Sequence, residues 1–92
     1  MPVEIKVPSV LRGLVAGART VEGQGSTIGQ LIDDLDKRYP GVKARLLSAD
    51  GELYQFVNIY INDEDIRFLK QLETPVSEGD VVSILPALAG GW

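Results

Sequence analysis

The chain contains no cysteine and no histidine. Without thiols there is no disulfide frame, no thiolate nucleophile and no iron–sulfur ligation. Without imidazole there is no Ser-His-Asp triad, and the two absences together remove the usual zinc ligands. An active site of its own would have to work with carboxylates, lysines and tyrosines. Basic residues are also in deficit: 9 Lys and Arg against 13 Asp and Glu give a net charge of −4. That balance disfavours nucleic acid and anionic membranes, both of which attract Lys/Arg patches, and leaves basic or neutral proteins as the better partners. The apolar runs are a few residues long, far below a membrane span. Met1-Pro2-Val3-Glu4-Ile5-Lys6 lacks the basic start and apolar stretch of a signal peptide, so the expected location is the cytoplasm.

What is present is an ordinary globular composition. Ninety-two residues, 45% hydrophobic and 24% charged, suit one domain with a modest core, spanning 1–92, and argue against extended disorder. Val3, Ile5 and Val7 alternate with Glu4 and Lys6, which predicts a half-buried strand ending at Pro8. Residues 9–18 read as a long loop, after which Arg19-Thr20-Val21-Glu22 returns as a second strand that Gly23-Gln24-Gly25 breaks. Thr27 and Gln30 fit a capping box, and Ile28, Leu31, Ile32 and Leu35 follow at the spacing of one helical face. Lys37 and Arg38 suit the negative end of that helix, and Tyr39-Pro40-Gly41 stops it. A short helical turn is expected around 42–47.

Residues 54–61, rich in aromatic and β-branched side chains, read as a long strand. Val57, Ile59 and Ile61 would face the core, with Phe56, Asn58 and Tyr60 opposite. Asn62-Asp63-Glu64-Asp65 turns the chain into a brief strand at Ile66-Arg67, and Glu78-Gly79-Asp80 precedes a final strand. There Val82 and Ile84 face one way, and Val81, Ser83 and Leu85 the other. The order of strand, strand, helix, strand, short strand, strand describes an α+β domain: a mixed sheet of four to five strands with one main helix packed on one face.

Few residues suggest chemistry. Gly23-Gln24-Gly25-Ser26 before a helix resembles a phosphate loop but lacks both the third glycine of the dinucleotide fingerprint and the Lys-Ser/Thr of the P-loop, so a turn with a cap is the favoured reading. Asp63-Glu64-Asp65 lacks the ligand spacing of a calcium loop and reads as a solvated turn. Asp33, Asp34 and Asp36 form a polar helix face, with Asp33 and Lys37 as an i, i+4 pair. Phe56, Tyr60 and Leu85 would lie on the sheet face away from the helix, either as a protein interface or beneath residues 9–18.

The tail stands apart. Gly90-Gly91-Trp92 ends the stretch that leads from the strand-like run Asp80 to Leu85, and a Gly-Gly terminus can lie extended in a narrow channel where another protein reaches its carboxyl. A frayed end is the alternative. Trp92, the only tryptophan, caps the would-be reactive glycine. A flexible tail is expected over 87–92.

Three features coincide: the segment from Phe56 to Phe68 with its Asn62-Asp63-Glu64-Asp65 turn, the Glu78-Gly79-Asp80 turn, and Leu85-Pro86-Ala87-Leu88-Ala89-Gly90-Gly91. Together they resemble the ubiquitin-like β-grasp sulfur carriers, which include the small subunit of molybdopterin synthase and the thiamine-pathway carrier, and within them the CysO-type carriers of actinobacterial cysteine biosynthesis. The resemblance covers nearly the whole chain. It implies a protein co-substrate rather than an enzyme: an adenylating, ubiquitin-activating-like sulfurtransferase activates Gly91, and the carboxylate becomes a thiocarboxylate for an acceptor such as cysteine synthase. By the same analogy a JAMM-type zinc metalloprotease removes Trp92, and Leu85 and Leu88 lie in the partner contact. Phe56 and Tyr60 extend that contact through strand alternation. No cofactor is expected on this chain; ATP and zinc would belong to its partners. It is expected to be a monomer that pairs transiently. A ubiquitin-like modifier joined to lysines through Gly91, and a noncovalent adaptor with an idle tail, are the rival readings.

Overall fold

The structure is a computed structural model that describes residues 2–54 and 57–86. Five strands form one mixed sheet in the order β2-β1-β5-β3-β4. β1 (Pro2–Lys6) pairs antiparallel with β2 (Thr20–Gln24) and parallel with β5 (Val81–Pro86). β5 then pairs antiparallel with β3 (Val57–Ile61), which carries the two-residue edge strand β4 (Glu64–Asp65). Strand alternation decides what is buried. Val3, Ile5, Val21, Val57, Ile59, Ile61, Val82 and Ile84 all point into one core, because successive side chains leave a strand on opposite faces. This is the β-grasp arrangement expected from the sequence.

Helix α1 (Ile28–Arg38) covers that face with Ile28, Leu31, Ile32 and Leu35, the four residues its periodicity singled out. Its start is capped as expected on one side only. The Gln30 backbone N–H donates to Thr27 Oγ1 (3.2 Å), but Gln30 Oε1 accepts from the Ser26 N–H (2.7 Å), one residue before the donor a capping box would use. The Ile28 N–H donates to the Thr74 carbonyl, and the Val76 N–H to the Ser26 carbonyl. The helix start is thereby tied to the chain that leads toward β5. α2 (Val42–Leu46) follows, with Asp36 Oδ1 accepting from the backbone N–H of Gly41 and of Lys43.

Four local expectations change. β2 runs through Gly23 instead of stopping there. A Cβ on Gly23 would lie 2.7 Å from Ile5 Cδ1 and 3.3 Å from Leu31 Cδ2, so the glycine allows close packing of helix on sheet and does not break the strand. Residues Ser9–Val15 form a 3-10 helix whose Leu11 and Val15 are buried in the same core, and Leu14 lies against Gly41 between the helices. The segment therefore closes the helix side and does not lie over the opposite face. Asp33 pairs with Lys43 (2.7 Å) rather than Lys37, because the turn at Tyr39–Gly41 brings α2 back alongside α1; the Asp33 hydrogen bond and charge raise the Lys43 pKa above its ordinary value. Finally, Ile66–Phe68 is a 3-10 turn, not a strand. The Asp65 carboxylate caps it by accepting the Arg67 N–H (2.9 Å), which turns the chain out of the sheet.

The two sheet edges are both protected. β4 is only two residues long. On β2, the Gln24 N–H donates to Asp34 Oδ2 (3.1 Å) and Arg38 donates to the Glu22 carbonyl, while Asp34 and Arg38 pair with each other (2.9 Å). An i, i+4 ion pair on α1 thus occupies backbone groups that an unprotected edge strand would offer to another chain.

Candidate functional site

The face of the sheet opposite α1 divides into two halves. Over β2 and β1, Glu22 lies beside Glu4 and Thr20 beside Lys6, and all four are exposed. Over β5 and β3, Ser83 lies beside Tyr60 and Leu85 beside Asn58. Leu85 is 48% exposed, while Tyr60, Asn58 and Ser83 are half-buried. β5 pairs with β1 only through Ser83, whereas its pairing with β3 continues to Pro86. The last three residues of β5 therefore extend past the β1 ladder, and Leu85 sits on that overhang.

Arg67 completes this half. Its Nη1 donates to Asn58 Oδ1 (2.7 Å) and its Nη2 to the Tyr54 carbonyl (2.6 Å). Since Asn58 points away from the core, these bonds bring the guanidinium to the open face. The 3-10 turn that replaced the expected strand makes this reach possible. Sequence reading gave Arg67 no role; the available signal was a lone base following four polar turn residues and flanking the buried Ile66. Phe68 and Leu69, next in sequence, are the other large exposed apolar residues among those described.

Of the residues singled out in the sequence, Leu85 and Tyr60 are thus found on one face, on the adjacent strands β5 and β3. Phe56, Leu88, Gly90, Gly91 and Trp92 lie outside the described residues. The remaining candidates take structural roles. Gly23 packs against α1, and the N–H groups of Ser26, Ile28 and Gln30 already have acceptors, which leaves the phosphate-loop reading without those donors. Asn62 and Asp63 have positive φ (49° and 73°) and form the β3–β4 turn. Asn62 Nδ2 donates to Asp80 Oδ1 (3.0 Å), and Asn62 Oδ1 accepts the Val81 N–H (3.0 Å). Among the described residues no group of acids could hold a metal ion, and no helix is long and apolar enough to cross a membrane.

The ThiS family model matches residues 5–91. The chain belongs to the ThiS family. Its relatives include the sulfur carrier protein CysO of Mycobacterium tuberculosis, 46% identical over 93 aligned positions that cover 99% of this chain and 100% of that protein. Among solved structures, a chain of the Amycolatopsis orientalis BexX/CysO complex superposes with a TM-score of 0.90 at 45% identity, covering 97% of this chain and 99% of that one. The small archaeal modifier protein 1 of Methanosarcina acetivorans superposes with a TM-score of 0.84 at 30% identity, covering 98% and 96%. This ThiS-family chain is therefore a β-grasp protein similar to small carriers along its full length, and the CysO resemblance drawn from the residues holds.

Proposed function

We propose that the chain is a sulfur carrier whose Gly91 carboxylate, after loss of Trp92, is adenylated by a partner and converted to a thiocarboxylate that donates sulfur in biosynthesis, with cysteine as the product. The observation that carries this reading is the extent of the family match: it runs through Gly91 and leaves Trp92 outside. The CysO relatives supply the direction toward cysteine. Gly90 gives the tail a side-chain-free approach to a channel, and Leu85, Leu88, Phe56 and Tyr60 form the contact that seats it.

The chemistry follows from the carboxylate itself. Its oxygen attacks the α-phosphorus of ATP and pyrophosphate leaves, giving an acyl adenylate. A sulfide sulfur then attacks the carbonyl, the carbon–sulfur bond forms, a proton is released and AMP departs. The partner supplies nucleotide binding and stabilises the developing charge. The product needs no cysteine on the carrier, because the thioacid sulfur is itself a nucleophile at neutral pH. A JAMM-type zinc metalloprotease would remove Trp92, an adenylating sulfurtransferase would load the tail, and cysteine synthase would receive the sulfur. In these steps the chain is a monomeric, cytoplasmic co-substrate.

Intact mass after incubation with a soluble extract of the source cells, ATP and sulfide tests the proposal. The expected outcome is loss of the Trp92 residue mass followed by exchange of one terminal oxygen for sulfur, both absent in Gly91→Val. An unchanged mass beside a working control carrier would overturn it. A second reading, a protein modifier joined to lysines through Gly91, is favoured by the likeness to the archaeal modifier protein. Slower-migrating conjugates that disappear when Gly91 is deleted would support it.

A further inference from the structure

We propose that Arg67 is a specificity-determining residue of the surface beside the tail, and that its guanidinium pairs with a carboxylate of the protein that activates Gly91. This role presupposes the carrier reading of the tail. Charged groups fully withdrawn from water are normally paired; Arg67 is half-buried, and among the described residues no acidic side chain forms an ion pair with it. Its two hydrogen bonds go to neutral oxygens, Asn58 Oδ1 and the Tyr54 carbonyl. Asp65, the nearest acid in sequence, accepts the backbone N–H of Arg67 instead. The ion pairs among the described residues are Arg38 with Asp34 and Lys43 with Asp33, so within them the Arg67 charge has no carboxylate partner.

A guanidinium presents five N–H donors in a rigid fork. Here two are anchored, and the charge is held in place before any partner arrives. A carboxylate that pairs with it therefore loses less free energy to side-chain ordering than one meeting a mobile lysine. Position supplies the occupant. Asn58 is the cross-strand neighbour of Leu85, so the guanidinium is one side chain away from the apolar residue on the overhang of β5. A partner that covers Leu85 to receive the tail meets Arg67 at the same time. Tyr60, Ser83 and Leu85 carry no formal charge, and Asp65, opposite Tyr60, has its carboxylate on the Arg67 backbone N–H, so an acidic side chain facing the Leu85 end of the surface would find its complement in the Arg67 guanidinium. An apolar contact with an adjacent charge pair distinguishes this surface from any other exposed leucine.

The test uses the adenylating enzyme that loads the unaltered tail, with carrier ending at Gly91, and follows pyrophosphate release. Arg67→Gln is expected to raise KM for the carrier about tenfold, the scale of one lost charge-assisted pair, with kcat and thermal midpoint little changed. Arg67→Lys should recover much of that loss. Asn58→Ala, which loosens the brace and keeps the charge, should change KM far less. For the unaltered carrier KM should climb with added salt, and more steeply than for Arg67→Gln. An unchanged KM in Arg67→Gln would overturn the inference while leaving the carrier reading intact. So would an equal rise in all three variants with falling thermal midpoints, which would make Arg67 a brace alone. If Arg67→Gln does not fold, a salt-insensitive KM of the unaltered chain overturns it as well. Failure of the unaltered tail to be adenylated removes both readings together.

Discussion

The two faces of the sheet are built from the same strands and do opposite work. On the helix side Val3 and Ile5 of β1, Val57, Ile59 and Ile61 of β3, and Val82 and Ile84 of β5 are all buried. On the other side the intervening residues are Glu4, Lys6, Asn58, Tyr60, Ser83 and Leu85, half-buried or exposed. The inner face is uniform because only apolar branched side chains fill the space beneath α1. The outer face is varied because folding places few demands on it, and it is there that Leu85 stays exposed and that the proposed contact with Arg67 lies. A substitution on the inner face should therefore change stability, and one on the outer face should change what binds.

The largest effect should come from Ile59→Ala. Ile59 is 1% exposed on β3, and truncating a buried Ile at a packed site costs about 2–5 kcal/mol. Urea denaturation would read this as a lower midpoint with an unchanged slope. A loss below the range would mean that the core beneath α1 relaxes around the cavity, and that the inner face is less demanding than its composition suggests. Thr27→Ala should follow at about 1 kcal/mol, the usual value of a helix cap. It acts on the helix that makes the inner face an inside at all. Gln30 keeps its bond to the Ser26 N–H in this variant, so the loss should remain smaller than that of Ile59→Ala.

How much of this was legible before any coordinates depended on whether the signal was local. α1 was readable because its apolar period, its Thr27 cap and its basic last turn all lie within a dozen residues and agree. The facing of β3 and β5 followed from alternation alone. Gly23 was misread because a glycine that ends a strand and one that admits a helix look alike in sequence; the difference is Leu31, eight residues later and adjacent only in space. Ion-pair choice failed in the same way: Asp33 to Lys37 is good helical spacing, but α2 delivers Lys43 to that carboxylate. Arg67 was hidden by the Asp65 cap, which converts an apparent strand into a 3-10 turn. For the candidate site, strand alternation correctly put Tyr60 and Leu85 on the outer face, while the tail drew its reading from the family resemblance.

Leu85→Ala sharpens the comparison from the outer side. With Leu85 already 48% exposed, its truncation should cost less than about 1 kcal/mol of stability. If Leu85 belongs to the partner contact, KM for the adenylating enzyme should rise in the same variant. Loss of stability comparable to that of Ile59→Ala would show that Leu85 serves the fold, and the division between the faces would fail at the position nearest the tail.

The smallest effect should appear at Glu22, on the half of the outer face far from Arg67. Glu22 and Glu4 are directly opposed across β2 and β1 and both exposed, and like charges at such positions repel. Glu22→Lys replaces the repulsion with an attraction, so the chain should gain a few tenths of a kcal/mol, roughly the value of an exposed cross-strand pair. The gain should shrink as salt is added, since both groups are in water, and comparing urea midpoints at low and high ionic strength would check it. Loading of the tail should not respond, because β1 separates Glu22 on β2 from β5, and Glu4 lies beside Val81, at the opposite end of β5 from Leu85. A change in KM as large as that of Arg67→Gln would mean that the partner covers the whole sheet, and that recognition is not confined to the β3–β5 half.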